Sequence, residues 1–374
     1  MKNILITSTD LMMIQFLIPH VIYLSKNGYE VTIACSNVGN RMEEIKQKIG
    51  NKIGFREGRL CRKPLKLGNL KGYKDLKDLI ENGNFDLIWT NEPVMGVMTR
   101  LAAIGERKKG CSVLYVAHGF HFYKGASWLK WALFCPIEKW MSRYTDQIIT
   151  INEEDYRFAE KHFREANVVK YPGIGVDTTK FKSTSVYKKN KCDALGIPYD
   201  KTIFISVGEL EKRKNHETTI QAFAKADMQD AILIICGVGS HEEKLRQMIL
   251  NMNLLNKVYL LGYRHDIAEL LSISDVFVFS TFQEGLSVAL MEAMSNEILC
   301  AVSKIRGNVD LIEKGKGIYF NPNSVESCKE ALLLAKEKIG KVSSILAYNK
   351  EKVQQFDLRY VRMRLLKTIN ILMD

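Results

Sequence analysis

The sequence predicts an α/β protein of two doubly wound domains, each built on a parallel sheet. Short runs rich in Val, Ile and Leu recur along the whole chain, with helical stretches between them. The chain has 374 residues, and a typical domain has about 100–150. Pro and Gly cluster at Tyr171-Pro172-Gly173-Ile174-Gly175, and a fresh strand and helix series follows. The expected division is residues 1–172, residues 173–355, and a terminal helix over 356–374.

In the first half, Asn3 to Thr7 is a strand, Leu17 to Lys26 an apolar-rich helix closed by Gly28, and Glu30 to Cys35 a second strand. Dinucleotide-binding folds begin this way. Here the first turn, Ser8-Thr9-Asp10-Leu11-Met12, holds no glycine, which argues against NAD or FAD. Arg56 to Lys77 carries Arg59, Arg62, Lys63, Lys66, Lys71 and Lys74, and reads as a solvated loop and helix face. Phe85 to Thr90 is a strand that Asn91-Glu92-Pro93 ends. Ser112 to Ala117 is another, and it runs into His118-Gly119-Phe120-His121-Phe122. A histidine at the C-terminal end of a parallel strand is well placed for chemistry; capping the strand is its plainer role. His121 reads only as its neighbour.

Ser127 to Tyr144 reads as two helical segments broken by Pro136, with Trp128, Trp131, Phe134 and Trp140 among Lys130, Lys139 and Arg143. Ile137, Trp140, Met141 and Tyr144 share one helical face, which suits either a membrane interface or the domain core. Gln147 to Asn152 is the next strand, and Glu153-Glu154-Asp155 is the acidic start of a helix.

The second half opens with a strand at Thr202 to Val207, then Gly208-Glu209-Leu210-Glu211-Lys212-Arg213-Lys214-Asn215-His216 and a helix over Glu217 to Lys225. Ala231 to Cys236 is a strand ending in Gly237-Val238-Gly239, a close backbone turn. Val258 to Leu261 leads into Gly262-Tyr263-Arg264, where Arg264 faces a ligand or pairs with Asp266. Asp275 to Ser280 is a buried strand. Beyond it come Glu284, Gly285, Leu286 and Ser287 and then an apolar helix, a strand–turn–helix arrangement that aims free backbone N–H groups at an anion. Glu292 lies inside that helix between apolar neighbours. A carboxylate there needs a core cation or a pair of ligand hydroxyls. Cys300 to Ser303 is the last clear strand, with Gly307 after it, and Phe356 to Met373 is a helix.

The formal net charge is +12, and about two thirds of that excess precedes Pro172, which suggests an anionic partner for the first half. Nucleotide and anionic membrane surface fit; no nucleic-acid motif accompanies the charge, so nucleic acid is not expected. Eight scattered cysteines without a C-x-x-C read as reduced thiols. Neither a membrane span nor a signal-peptide cleavage site is evident, so a cytoplasmic protein is expected, with the inner face of the cell membrane as its peripheral site.

The ordered set of segments, above all Glu284-Gly285 followed by Glu292, resembles the retaining family-4 glycosyltransferases of the GT-B fold that build capsular and extracellular polysaccharides. The resemblance covers essentially the whole chain. It implies two Rossmann-like domains facing a central cleft, with the last helix crossing back to the first domain. It implies transfer of a hexosyl or N-acetylhexosaminyl group, with retention, from a nucleoside-diphosphate sugar (UDP-sugar favoured) to an acceptor hydroxyl, in this case on a lipid-linked glycan. Lys214 matches the lysine on the donor diphosphate. Glu209 stands where an arginine is usual, so Arg213 or Lys212 supplies the second charge or Lys214 acts alone. Gly208, Arg264, Gly285, Leu286 and Ser287 line the donor by the same likeness. Glu292 matches the carboxylate on the ribose hydroxyls, Glu284 that on the donor sugar, and His118 the histidine at the reacting face. No cofactor and no divalent metal is implied, and no Asp-x-Asp is present to hold one. Two alternatives remain open: a nucleotide-sugar epimerase of the same architecture, and a non-catalytic partner of a transferase.

Overall fold

The computed structural model describes residues 1–37, 42–50, 52–60, 68–181 and 187–374, and only the backbone of Asp10 and Met12. Cys61, Arg62, Lys63 and Lys66, and the side chain of Asp10, lie outside the described residues.

The chain divides into two units. One is Met1–Ile174 together with Arg359–Asp374; the other is Gly175–Leu358. The first holds seven strands: β1 (Asn3–Asp10), β2 (Glu30–Ser36), β3 (Gly54–Glu57), β4 (Leu87–Asn91), β5 (Ser112–Ala117), β6 (Gln147–Thr150) and β7 (Asn167–Lys170). They pair in the order β3-β2-β1-β4-β5-β6-β7, all parallel. The register sets Ile6 between Ile33 and Trp89. The second holds β8 (Thr202–Val207), β9 (Ala231–Cys236), β10 (Val258–Leu260), β11 (Val276–Phe279), β12 (Leu299–Ser303) and β13 (Ile318–Phe320), again all parallel, in the order β10-β9-β8-β11-β12-β13.

Central strands are buried on both faces, which is why they read as unbroken apolar runs. Ile4 and Ile6 pack toward one face of the first sheet and Leu5 toward the other. The strand order reverses between β1 and β4 in one sheet and between β8 and β11 in the other. Ligands of open α/β sheets sit outside the strand C-termini at such reversals.

Two local expectations need correction. The first helix starts at Leu11, not Leu17, and carries Pro19 within it. Trp128–Met141 is one helix, not two: Pro136 sits inside it. Pro136 removes the N–H that would bond the carbonyl of Ala132, but both residues are exposed, so water can satisfy that carbonyl. The inward face also differs from the apolar pattern. Glu138 and Met141 point in, whereas Trp128, Leu129, Leu133 and Trp140 are 74 %, 60 %, 55 % and 48 % exposed. The cause is Arg100. Its guanidinium is fully buried, bonds Glu138 at 2.8 Å and lies 4.1 Å from the Tyr115 ring centroid. A buried Arg needs a carboxylate, and that pair fixes the rotation of the helix.

Among the described residues no helix is long and apolar enough to cross a membrane. Cys35, Cys111, Cys192, Cys236, Cys300 and Cys328 are buried, and none of these six is in a disulfide.

Candidate active site

In the second unit the chemistry gathers where the strand order reverses. Lys214 Nζ lies 2.8 Å and Arg213 Nη1 2.7 Å from the same Glu284 oxygen, Oε1, and Thr281 Oγ1 donates to it at 2.9 Å. Arg213 also donates to the Gln283 carbonyl at 3.0 Å and touches Glu209 at 3.3 Å. Lys214 and Glu284 are almost wholly enclosed. Burial alone would push the Glu284 carboxyl up; Lys214 and Arg213 outweigh it and hold the carboxyl below its usual range.

The turn that presents these groups is stitched from both sides. Asn215 takes a left-handed conformation (φ 57°), and its amide donates to the carbonyls of Ser280 and Pro322 at 3.0 Å each. The Ser280 hydroxyl returns a bond to the Asn215 carbonyl at 2.7 Å, and the Phe282 N–H bonds the Arg213 carbonyl at 2.9 Å. A Cβ on Gly237 would come within 1.9 Å of the Gly208 carbonyl oxygen, so the two backbones touch there and only glycine fits. Gly307 likewise packs on the turn after Glu284: a Cβ on it would meet the Gly285 oxygen at 2.5 Å.

After Gly285 and Leu286, Ser287 caps the Val288–Ser295 helix, its hydroxyl accepting from the Leu290 N–H at 3.3 Å. Glu292 is in the second turn of that helix and half-buried. Burial pushes its carboxyl up to about 8, and Lys180 pulls weakly the other way. No protein group bonds it among the described residues. Arg264 is a bidentate partner of Asp266, at 2.8 and 2.6 Å, and Lys191 joins the same carboxylate at 2.6 Å. The structure thus brings Arg213, Lys214 and Glu284 together and ties Arg264 to Asp266 instead.

In the first unit His118 follows β5. Its Nε2 lies 3.0 Å from Asn91 Oδ1, which also accepts from Trp89 Nε1 at 3.2 Å, while Asn91 Nδ2 donates to the Thr7 carbonyl at 3.1 Å. The last bond fixes the amide orientation, so Oδ1 faces the imidazole and Nε2 carries the proton. Nδ1 is left with its lone pair. Burial lowers the His118 pKa to about 4, against the pull of Glu92, so the ring is neutral near pH 7. His121 packs on Phe134, its ring centroid 4.7 Å away.

Sequence patterns did not show what Glu92 does. It sits at φ 65°, ψ 153°, a backbone region almost reserved for glycine. Its Oε2 accepts from Ser8 Oγ at 2.8 Å, from the Thr9 N–H at 2.7 Å and from the Thr9 hydroxyl. The glycine-free first turn therefore takes its anion from within the chain.

A family model described as "Glycosyl transferases group 1" matches residues 188–352, and one described as "Glycosyltransferase Family 4" matches residues 20–179. The EpsD protein of Bacillus subtilis (strain 168), which carries a glycosyltransferase name, is 34 % identical over 324 residues, 85 % of this chain and 83 % of that one. The chain belongs to the family-4, group 1 glycosyltransferases. The UDP-Gal:alpha-D-GlcNAc-diphosphoundecaprenol alpha-1,3-galactosyltransferase of Escherichia coli is 26 % identical over 87 % of this chain and 84 % of its own. The crystal structure of Anabaena HepE with UDP-glucose aligns over 99 % of this chain and all of that one, with a TM-score of 0.80 at 18 % identity. This glycosyltransferase therefore has the GT-B type of fold.

Proposed function

We propose that this glycosyltransferase moves a hexosyl or N-acetylhexosaminyl group from a UDP-sugar to a hydroxyl of a lipid-linked glycan, with retention of anomeric configuration. The observation that carries the donor assignment is the convergence of Lys214 and Arg213 at the end of β11, beside the capped helix that holds Glu292. Lys214 and Arg213 share Glu284, and Glu209 also meets Arg213, so the four charges balance; what suits a diphosphate is the set of charged N–H donors on the two cations. Arg213 takes the part of the arginine that Glu209 replaces. As the donor bond breaks, charge builds on the leaving diphosphate. Lys214, Arg213 and the N–H groups around Ser287 are fixed in advance to receive it. The diphosphate charge is met by these groups, so the reaction needs no divalent metal.

Glu292 takes the two ribose hydroxyls. Glu284 orders the cations and takes hydroxyls of the donor sugar. Gly208 and Gly285 allow the backbone to approach the ligand. His118, neutral and oriented by Asn91, acts at the transition state through Nδ1. The name of the E. coli relative, which includes a diphosphoundecaprenol-linked acceptor and UDP-Gal, supports both the donor base and a lipid-linked acceptor. The outward ridge of Trp128, Leu129, Leu133 and Trp140 beside Lys139 and Arg143 supports a peripheral position on an anionic membrane. The test is a panel of UDP- and GDP-sugars with a diphosphate-lipid-linked sugar as acceptor, in the presence of EDTA. One UDP-sugar should be consumed and the product anomer should match the donor. A protein that binds neither UDP nor GDP refutes the assignment.

A further inference from the structure

A second cationic site lies in the first unit, in groups the donor chemistry does not use. A pocket of about 350 Å³ opens where the Trp128–Met141 helix and the Glu153–His162 helix both end. Lys139, Ser142 and Arg143 line it from one helix end; Lys161, His162, Arg164 and Glu165 line it from the other. Among the described residues none of Lys139, Arg143, Lys161 and Arg164 makes an ion pair. Their neighbours behave differently: Arg157 and Lys170 both pair with Glu153, and Arg107 pairs with Asp146.

Compensation of the helix dipoles is the plain role for a cation at a helix C-terminus, and it accounts for Lys139 and Lys161 in the last turns. It also covers Arg143, in the 3-10 turn that continues the first helix, but not Arg164, which lies beyond the end of the second. Four cations against one carboxylate around a single cavity form a receptor for an anion with several oxygens. The pocket and the apolar ridge share the Trp128–Met141 helix and the 3-10 turn that continues it. Trp140 stands between Lys139 and Arg143 in sequence, and its ring meets Tyr144 edge-on at 5.9 Å. From Trp128 to Trp140 the ridge runs about 18 Å along the helix. A bilayer surface presents this same pairing, apolar chains next to phosphate oxygens.

We infer that this pocket seats the phosphate of an anionic phospholipid while the ridge dips among the acyl chains. The inference rests on the peripheral-membrane reading above and adds a defined headgroup site to it. The test uses the full chain and two sets of vesicles, phosphatidylcholine alone and phosphatidylcholine with phosphatidylglycerol, at physiological salt. Wild type should sediment with the anionic vesicles and much less with the neutral ones. Lys161→Gln with Arg164→Gln should weaken anionic-vesicle binding about thirtyfold, each charge near the surface being worth about fivefold. Melting temperature and UDP affinity should not change, because both side chains are exposed and unpaired. Lys26→Gln with Lys52→Gln, which removes the same charge beside β2 and β3, at the other end of the sheet from β6 and β7, should cost much less. Equal loss in the two pairs would mean that bulk charge alone acts, and would overturn the pocket. Undiminished binding by the Lys161 and Arg164 variant would also overturn it and leave the membrane reading intact. Wild type that ignores both vesicles would overturn the two together. Millimolar glycerol phosphate should not displace the protein from vesicles, since it lacks the chains that the ridge needs; full displacement would mark the pocket as a site for a soluble phosphate and refute the lipid.

Discussion

Donor binding should release a proton, and Glu292 should be its source. The carboxyl is raised to about 8. A raised acid is protonated below that value, so at pH 7 roughly nine in ten copies carry the proton. A ribose diol that donates from both hydroxyls needs both oxygens of the carboxylate as acceptors, and a carboxylic acid offers only one, so two-point binding of UDP displaces that proton. Titration of UDP at pH 7 in buffers of different ionisation enthalpy should therefore show about 0.9 proton released per nucleotide. Affinity should rise about eightfold, or roughly 1.3 kcal/mol, from pH 7 to 8.5, and level off above. Glu292→Gln removes the titrating group: its UDP affinity should be lower and nearly flat over the same range. Taking the ratio of wild type to variant cancels the titration of the nucleotide itself. Among the described residues Lys180 is the charged neighbour that perturbs Glu292, so Lys180→Gln should steepen the pH dependence slightly. No proton release at pH 7, or a wild-type profile parallel to that of Glu292→Gln, would refute the assignment of Glu292 to the ribose.

Three further outcomes are expected. Lys214→Ala should weaken UDP binding by roughly 1.5–3 kcal/mol, the range for a hydrogen bond to a charged group; calorimetric affinity equal to wild type would remove Lys214 from the diphosphate. His118→Ala should lower kcat by at least about a hundredfold with UDP affinity unchanged, and the kcat profile of wild type should show no inflection near pH 6.5, because burial has moved His118 to about 4. Glu138→Gln should lower stability by about 3–5 kcal/mol in urea unfolding, since it leaves Arg100 buried and unpaired, and Arg100→Met with Glu138→Leu should recover much of that loss.

Which of these groups a sequence can disclose depends on how local their causes are. Strands β4, β5, β8 and β11 are continuous apolar runs because helices cover both faces of a parallel sheet, and that pattern needs no tertiary information. The places of Glu284 and His118 at strand ends are equally local, whereas Lys214 stands out only by its likeness to the family's lysine. The orientation of the Trp128–Met141 helix is not local. It hangs on Arg100, which lies far back in the chain and has no signal in the spacing of apolar residues around Glu138. A lone glutamate in an apolar stretch reads as the outward side, and here it is the inward one. Glu92 is similar: a glutamate says nothing of a glycine-like backbone, and its bonds to Ser8 and Thr9 join segments distant in sequence. Arg264 had two readings open, and the pairing with Asp266 was local enough to be one of them.

The Leu358–Met373 helix buries Leu365 and Ile369 in the same core as Ile4, Ile6 and Trp89, and its last carbonyls take bonds from Ser112 and Lys2. The first unit is thus discontinuous, with the whole of Gly175–Leu358 inserted between its parts. During synthesis the amino-terminal sheet must wait, its apolar seat open, until the second unit has left the ribosome and the final helix arrives. The second unit has no such debt and can fold as it emerges. An amino-terminal fragment ending at Ile174 should therefore aggregate unless that helix is supplied. Because Lys2 already meets Asp374 at 3.6 Å, a short linker from residue 374 to residue 1, with a new opening near Leu358, would give the first unit all its parts in one uninterrupted stretch.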